Sequence, residues 1–133
     1  MKTGRILVVD DNATNLKLVS DLLAFEGHEI LNAMDAKEAQ HVLSETLPDL
    51  ILMDIALPDM DGLTLTRLLK SNARTQHIRI VALTAFAMKG DEQKALDAGC
   101  DGYIAKPIDT RTLPGKVTGI LALAVDSDQR KAS

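Results

Sequence analysis

A doubly wound α/β fold, with one parallel five-stranded sheet between layers of helices, is predicted by three features of this sequence. Five short apolar runs recur along the chain: Ile6–Val9, Glu29–Leu31, Leu50–Met53, Ile78–Leu83 and Tyr103–Ala105. Three of them are almost unbroken Ile, Leu and Val, the composition of strands buried on both faces of a parallel sheet. Helix-length segments separate them, so the order is strand then helix, five times over.

The helical segments follow in order. Residues 13–26 carry Leu16, Val19 and Leu23 on one face, with Leu18, Leu22 and Phe25 beside it, and Gly27 is a natural stop. One of Asp11 and Asn12 is expected to cap this helix. Residues 35–46 open on Asp35 as a cap and close before Pro48. Residues 62–73 carry Leu65, Leu68 and Leu69, and residues 90–98 end at Gly99. The last helix, residues 111–124, must hold Pro114 in its first turn, because proline further in would break it. Asp126–Ser133 reads as a polar tail after a domain spanning residues 1–125. Right-handed crossovers and the flavodoxin-like strand order 2-1-3-4-5 complete the expected three-layer (βα)5 architecture.

Bulk properties narrow the function. The 133 residues suit one domain with its own core. Hydrophobic residues are 46% but aromatics only 2%, so the core is aliphatic and stacking platforms for bases are lacking. A net charge of −4 carries no basic footprint for nucleic acid. No apolar run is long enough for a bilayer span or a signal peptide. Cys100 is the only cysteine, which rules out an internal disulfide. The cytoplasm is the expected location.

In parallel sheets of this kind, sites form at the carboxyl ends of the strands near the switch point between the first and third. The first strand runs into Asp10-Asp11, the third into Asp54, the fourth into Thr84 and the fifth into Lys106-Pro107. Three carboxylates, a hydroxyl and an amine thus converge. Carboxylates about 5 Å apart repel by roughly 3 kcal/mol per pair at an effective dielectric near 20. Lys106 and a hard, oxygen-ligated cation such as Mg²⁺ can offset that repulsion. This is the equipment of phosphoryl transfer: Asp54, on the central strand, serves as nucleophile, Asp10 and Asp11 as metal ligands, and Lys106 and Thr84 as stabilisers.

The same residues carry a family likeness. Ile6-Leu7-Val8-Val9-Asp10-Asp11-Asn12, Pro48-Asp49-Leu50-Ile51-Leu52-Met53-Asp54 with Pro58 and Asp61-Gly62, Leu83-Thr84-Ala85, Ala98-Gly99 and Gly102-Tyr103-Ile104-Ala105-Lys106-Pro107 stand in order. Over residues 4–124 the sequence resembles bacterial two-component receiver domains of the CheY-like superfamily. Asn15 and Thr84-Ala85-Phe86-Ala87-Met88-Lys89-Gly90-Asp91 make it similar to single-domain regulators of the DivK type.

The resemblance implies that a histidine kinase or histidine phosphotransfer protein phosphorylates Asp54. It implies Mg²⁺ (or Mn²⁺) on Asp10, Asp11, Asp54 and the Ala56 carbonyl, and a cis bond before Pro107. Thr84 and Tyr103 form the implied switch pair. The implied output surface, made of the fourth helix, fifth strand and fifth helix, engages a downstream protein. Ala56 and Phe86 occupy the implied dephosphorylation-tuning positions, and neither can orient a water, which implies a long-lived aspartyl phosphate. With the chain ending after the fifth helix, output by protein binding is expected.

Other functions fit less well. A phosphatase with an aspartyl nucleophile needs an acid two residues on, where Ala56 stands. A flavodoxin-like electron carrier would meet repulsion from Asp10 and Asp11 and lacks aromatic flavin walls. A phosphorylation-independent adaptor, or a receiver piece of a hybrid histidine kinase, shares the fold. The histidines lie outside the site loops, so the chain reads as acceptor and not donor. Turnover beyond the protein's own phosphorylation and dephosphorylation is not expected.

Overall fold

The computed structural model describes residues 3–85 and 91–132. Strands β1 (Arg5–Val9), β2 (Glu29–Ala33), β3 (Leu50–Asp54), β4 (Arg79–Thr84) and β5 (Gly102–Ala105) alternate with helices α1 (Ala13–Phe25), α2 (Ala36–Glu45), α3 (Gly62–Lys70), α4 (Asp91–Ala98) and α5 (Leu113–Ala132). The strands pair in parallel in the order β2-β1-β3-β4-β5, as the sequence predicts.

Each strand points alternate side chains to opposite faces, and that alternation builds two cores. Leu7, Val9, Ile51, Met53, Ile80 and Ala82 pack with residues of α2, α3 and α4. Ile6, Val8, Leu50, Leu52, Val81 and Leu83 pack with residues of α1 and α5. All of these strand residues are buried, so β1, β3 and β4 read as continuous apolar runs. Burying each large aliphatic side chain contributes about 1.5–3 kcal/mol.

The helix ends follow local chemistry. Asn12 caps α1 by accepting from the Asn15 N–H, and Asp35 caps α2 by accepting from Glu38. Gly27 and Gly99 take φ of 96° and 106°, the left-handed region that ends a helix readily only at glycine. α1 buries Leu16, Val19 and Leu23, whereas Leu18 and Phe25 stay exposed.

Two boundaries differ from the sequence reading by more than two residues. α3 ends at Lys70, capped by Ser71, and turns fill the span up to β4. α5 runs on to Ala132 instead of stopping near residue 124. Its last stretch holds no proline or glycine and ends in Gln, Arg, Lys and Ala, all good helix formers. Pro114 does lie in its first turn. Among the described residues, no helix is long and apolar enough to cross a membrane.

Candidate functional site: an acidic cluster at the carboxyl edge of the sheet

Strand register assembles the site. Val9 pairs with Met53, so the next residues, Asp10 and Asp54, leave their strands side by side. Asp54 pairs with Leu83, one residue before Thr84. Thr84 pairs with Ala105, one residue before Lys106. Four sequence-distant residues therefore reach one edge because the strands that carry them end in register.

Carboxylate oxygens of Asp10, Asp11 and Asp54 all lie within 4.8 Å of one another. Asp10 and Asp54 are buried and Asp11 is exposed. Local turns aim them. Asp10 Oδ1 accepts the Asn12 N–H at 2.9 Å, and Asp54 Oδ1 accepts the Ala56 N–H at 2.9 Å. Each carboxylate is thereby pinned by the backbone two residues on, and its second oxygen is left to face the cluster.

Lys106 lies against both second oxygens. Its Nζ is 3.0 Å from Asp10 Oδ2 and 3.1 Å from Asp54 Oδ2. The contact with Asp54 is a directed hydrogen bond. Asp10 Oδ2, fully buried, has no hydrogen bond among the described residues, so its contact with the ammonium is ionic only. One ammonium faces two buried acids, and with the third carboxylate the cluster sets three acids against a single cation.

Titration behaviour reflects this. Burial raises the Asp10 carboxyl above its ordinary 3.8, against the opposing pull of the Asn12 N–H and Lys106. Burial pulls the Lys106 ammonium down, but contacts with Asp10 and Asp54 outweigh it and hold the group above its usual 10.5.

The fit to a hard divalent cation is good. Three carboxylates offer oxygens, one of them buried and without a hydrogen bond, and nitrogen and sulfur ligands are missing from the described cluster. Chemically, the arrangement offers a desolvated carboxylate beside a fixed positive charge.

The other sequence-predicted residues take various positions. Thr84 is buried at the end of β4, and its carbonyl accepts the Lys106 N–H at 2.7 Å. The Lys106–Pro107 peptide is cis. Tyr103 is half-buried on β5 and packs against the core shared with α2, α3 and α4. Ala56 is exposed in the loop after Asp54. Phe86 lies outside the described residues. His28 packs at the far edge of the sheet, where its Nδ1 accepts the Gly4 N–H at 3.1 Å.

Gly62 and Asp59 play parts that sequence reasoning missed. A β-carbon on Gly62 would stand 2.2 Å from the Asp54 carbonyl oxygen, so only glycine lets α3 approach the end of β3 this closely. Asp59 accepts the N–H groups of Ala36 and Lys37 at 2.9 and 3.0 Å, reaching α2 from the loop after β3. Gly62 was visible as a motif glycine, whereas Asp59 carries only the signal of a turn residue.

Comparison with known proteins agrees with this geometry. The model of the response regulator receiver domain matches residues 6–118. The polar-differentiation response regulator DivK of Brucella ovis is 45% identical over 106 residues, which is 80% of this chain and 86% of that protein. A CheY-like receiver domain protein from Methanospirillum hungatei superposes with a TM-score of 0.86 at 31% identity, covering 95% of this chain and 99% of that one. A response regulator from Chloroflexus aurantiacus gives 0.85 at 31% identity, covering 91% and 99%. The register-built acidic edge, the two-core sheet and these likenesses converge: the chain belongs to the response regulator receiver domain family.

Proposed function

We propose that the chain is a phosphoacceptor switch of a two-component or phosphorelay system, and that Asp54 receives the phosphoryl group. The observation that carries this is the acidic cluster itself: three carboxylates within 4.8 Å and one ammonium shared between Asp10 and Asp54.

In this reading Asp10, Asp11, Asp54 and the Ala56 carbonyl hold Mg²⁺ (or Mn²⁺). The bound cation offsets the acids' repulsion and the charge on the phosphoryl oxygens. Asp54 Oδ2 is the attacking atom, because Oδ1 is engaged by the Ala56 N–H. The oxygen bonds to phosphorus as the bond from phosphorus to the donor's imidazole nitrogen breaks, and the donor histidine leaves neutral once protonated. Lys106, already 3.1 Å from that oxygen, is placed to pass its contact to the phosphoryl group. The low exposure of Asp54 and Lys106 strengthens these interactions by excluding water.

Thr84 and Tyr103 form the switch pair. The Thr84 hydroxyl turns to the phosphoryl group, and the half-buried Tyr103 ring gains room to move inward. The face of α4, β5 and α5 then engages a downstream protein. Family likeness supports a histidine kinase or phosphotransfer protein as donor and the cytoplasm as the setting. Receiver domains are generally signalling proteins and not turnover enzymes, and Ala56 leaves no side-chain acid or amide at its position to drive hydrolysis.

The test is incubation with Mg²⁺ and a small acyl phosphate, followed by intact mass measurement beside Asp54→Asn. One added phosphoryl group, labile to hydroxylamine and missing from the variant, is the expected result. Absence of both adduct and Mg²⁺ binding would sink the reading.

A further inference from the structure

The loop from β3 to α3, residues 55–61, carries Ala56, whose carbonyl the phosphoacceptor reading places among the cation's ligands. The following inference rests on that reading. The loop's ends are held locally: the Gly62 N–H donates to the Ile55 carbonyl at 3.0 Å, and Asp61 accepts from Leu63 at 2.9 Å. Its middle is held from outside. Asp59 Oδ1 accepts the Ala36 N–H at 2.9 Å and Oδ2 accepts the Lys37 N–H at 3.0 Å, so one carboxylate forks over the first turn of α2.

The first N–H groups of a helix have no partner within it, and an outside acceptor can take them. Asp35 already caps α2 locally through the Glu38 N–H at 2.7 Å. Asp59 instead comes from the acceptor loop and closes a bridge between that loop and the β2–α2 segment. The same segment grips the other half of the acid cluster, because the Asp10 N–H donates to the Ala33 carbonyl at 3.0 Å. Asp10 and the loop bearing Ala56 are thus fastened to one short stretch of chain, residues 33–37. Charge-assisted bonds to a helix N-terminus are the stronger kind.

We infer that Asp59 is a positioning residue for the cation site, clamping the loop that bears the Ala56 carbonyl to the N-terminus of α2, the segment that also holds Asp10. It touches no substrate. It acts as outer partners of metal ligands do, where losses of about tenfold or more in affinity are usual.

The experiment is Mg²⁺ titration by calorimetry on the wild type, Asp59→Ala, Asp59→Asn, Asp35→Ala and Asp11→Ala. Asp59→Ala should weaken Mg²⁺ by about tenfold. Asp59→Asn removes the same charge but keeps one acceptor oxygen, and should recover part of the loss. Asp35→Ala weakens the same helix end without touching the loop, and should bind Mg²⁺ as the wild type does. Wild-type affinity in Asp59→Ala overturns the inference. So does an equal loss in Asp59→Ala and Asp59→Asn, which would make the effect one of net charge, or an equal loss in Asp35→Ala, which would make it one of helix stability. Should Asp59→Ala fail to fold, Asp59→Asn is read against Asp35→Ala, which removes the same charge from the same helix end: weaker binding in Asp59→Asn alone supports the clamp, and equal binding in the two overturns it. Wild-type binding that Asp11→Ala abolishes upholds the cation site whatever Asp59 shows, whereas a wild type that binds no Mg²⁺ overturns both readings.

Discussion

The Lys106 ammonium lies 3.1 Å from Asp54 Oδ2, the oxygen of that carboxylate not engaged by the Ala56 N–H. In the phosphoacceptor reading proposed above, the resting site holds the attacking atom against the positive charge that the arriving phosphoryl group would next require. Lys106 also faces Asp10, so in that reading it serves structure and chemistry together.

Replacing Lys106 with Met separates those duties. Without the ammonium, Asp10 and Asp54 are left buried with no counter-charge, which costs about 3 kcal/mol or more. Urea unfolding without divalent cation should show that loss, and Mg²⁺ should restore much of it. Mg²⁺ affinity should rise, because no fixed cation competes for the same oxygens. The rate of adduct formation from a small acyl phosphate should fall by about 10²-fold, the scale of losing one charge-stabilising group.

Asp54→Asn should abolish the adduct yet stabilise the cation-free fold. The variant removes one of three mutually repelling carboxylates, and its amide oxygen can still accept the Ala56 N–H. A gain of about 1 kcal/mol, a fraction of the pairwise repulsion, is expected. Comparing urea midpoints of the two proteins in chelator checks it, and a clear loss of stability would contradict the electrostatic account.

The Asp10 carboxyl gives a pH signature. Its folded value lies above the unfolded 3.8, chiefly through burial. Between those values the folded chain binds more protons than the unfolded one, so its stability falls as pH rises through the window. In Asp10→Asn this contribution vanishes. The variant's stability relative to wild type should therefore grow as pH rises from 3.8 through the raised folded-state value of Asp10, and then level off. Unfolding curves in chelator across that range provide the measurement.

Gly62→Ala tests the close approach of α3. Its new β-carbon would meet the Asp54 carbonyl oxygen at 2.2 Å and the Ile55 Cα at 2.7 Å, both backbone atoms that no rotamer change can move aside. Overpacking of this kind costs about 1–3 kcal/mol. The displaced strand end should also slow phosphorylation of Asp54, which intact mass over time would record. Retention of wild-type rate and stability would show that the loop yields more easily than the contact implies.

Much of this molecule was legible before any coordinates. β1, β3 and β4 announce themselves because both faces of a central parallel strand are buried, which forces continuous Ile, Leu and Val. Asp10, Asp11, Asp54, Thr84 and Lys106 were readable because parallel strands bring their carboxyl ends to one edge, so position after a strand is enough to place a residue there. The glycine stops at Gly27 and Gly99 follow from a left-handed turn that disfavours side chains.

Contacts between loops and helix ends were not legible. Nothing local to Asp59 says that its carboxylate meets Ala36 and Lys37 across more than twenty residues of chain. Nor does the sequence say that Lys106 divides itself between two acids, or that Leu18 and Phe25 stay exposed while Leu16 and Leu23 sink into the core. By itself the sequence determined the periodicities, the caps and the order of chemistry-bearing residues, since these depend on near neighbours and on the repeat of helix and strand. The tertiary structure alone decided which donors meet which acceptors, because that depends on the relative offset of packed elements and not on any short stretch of chain.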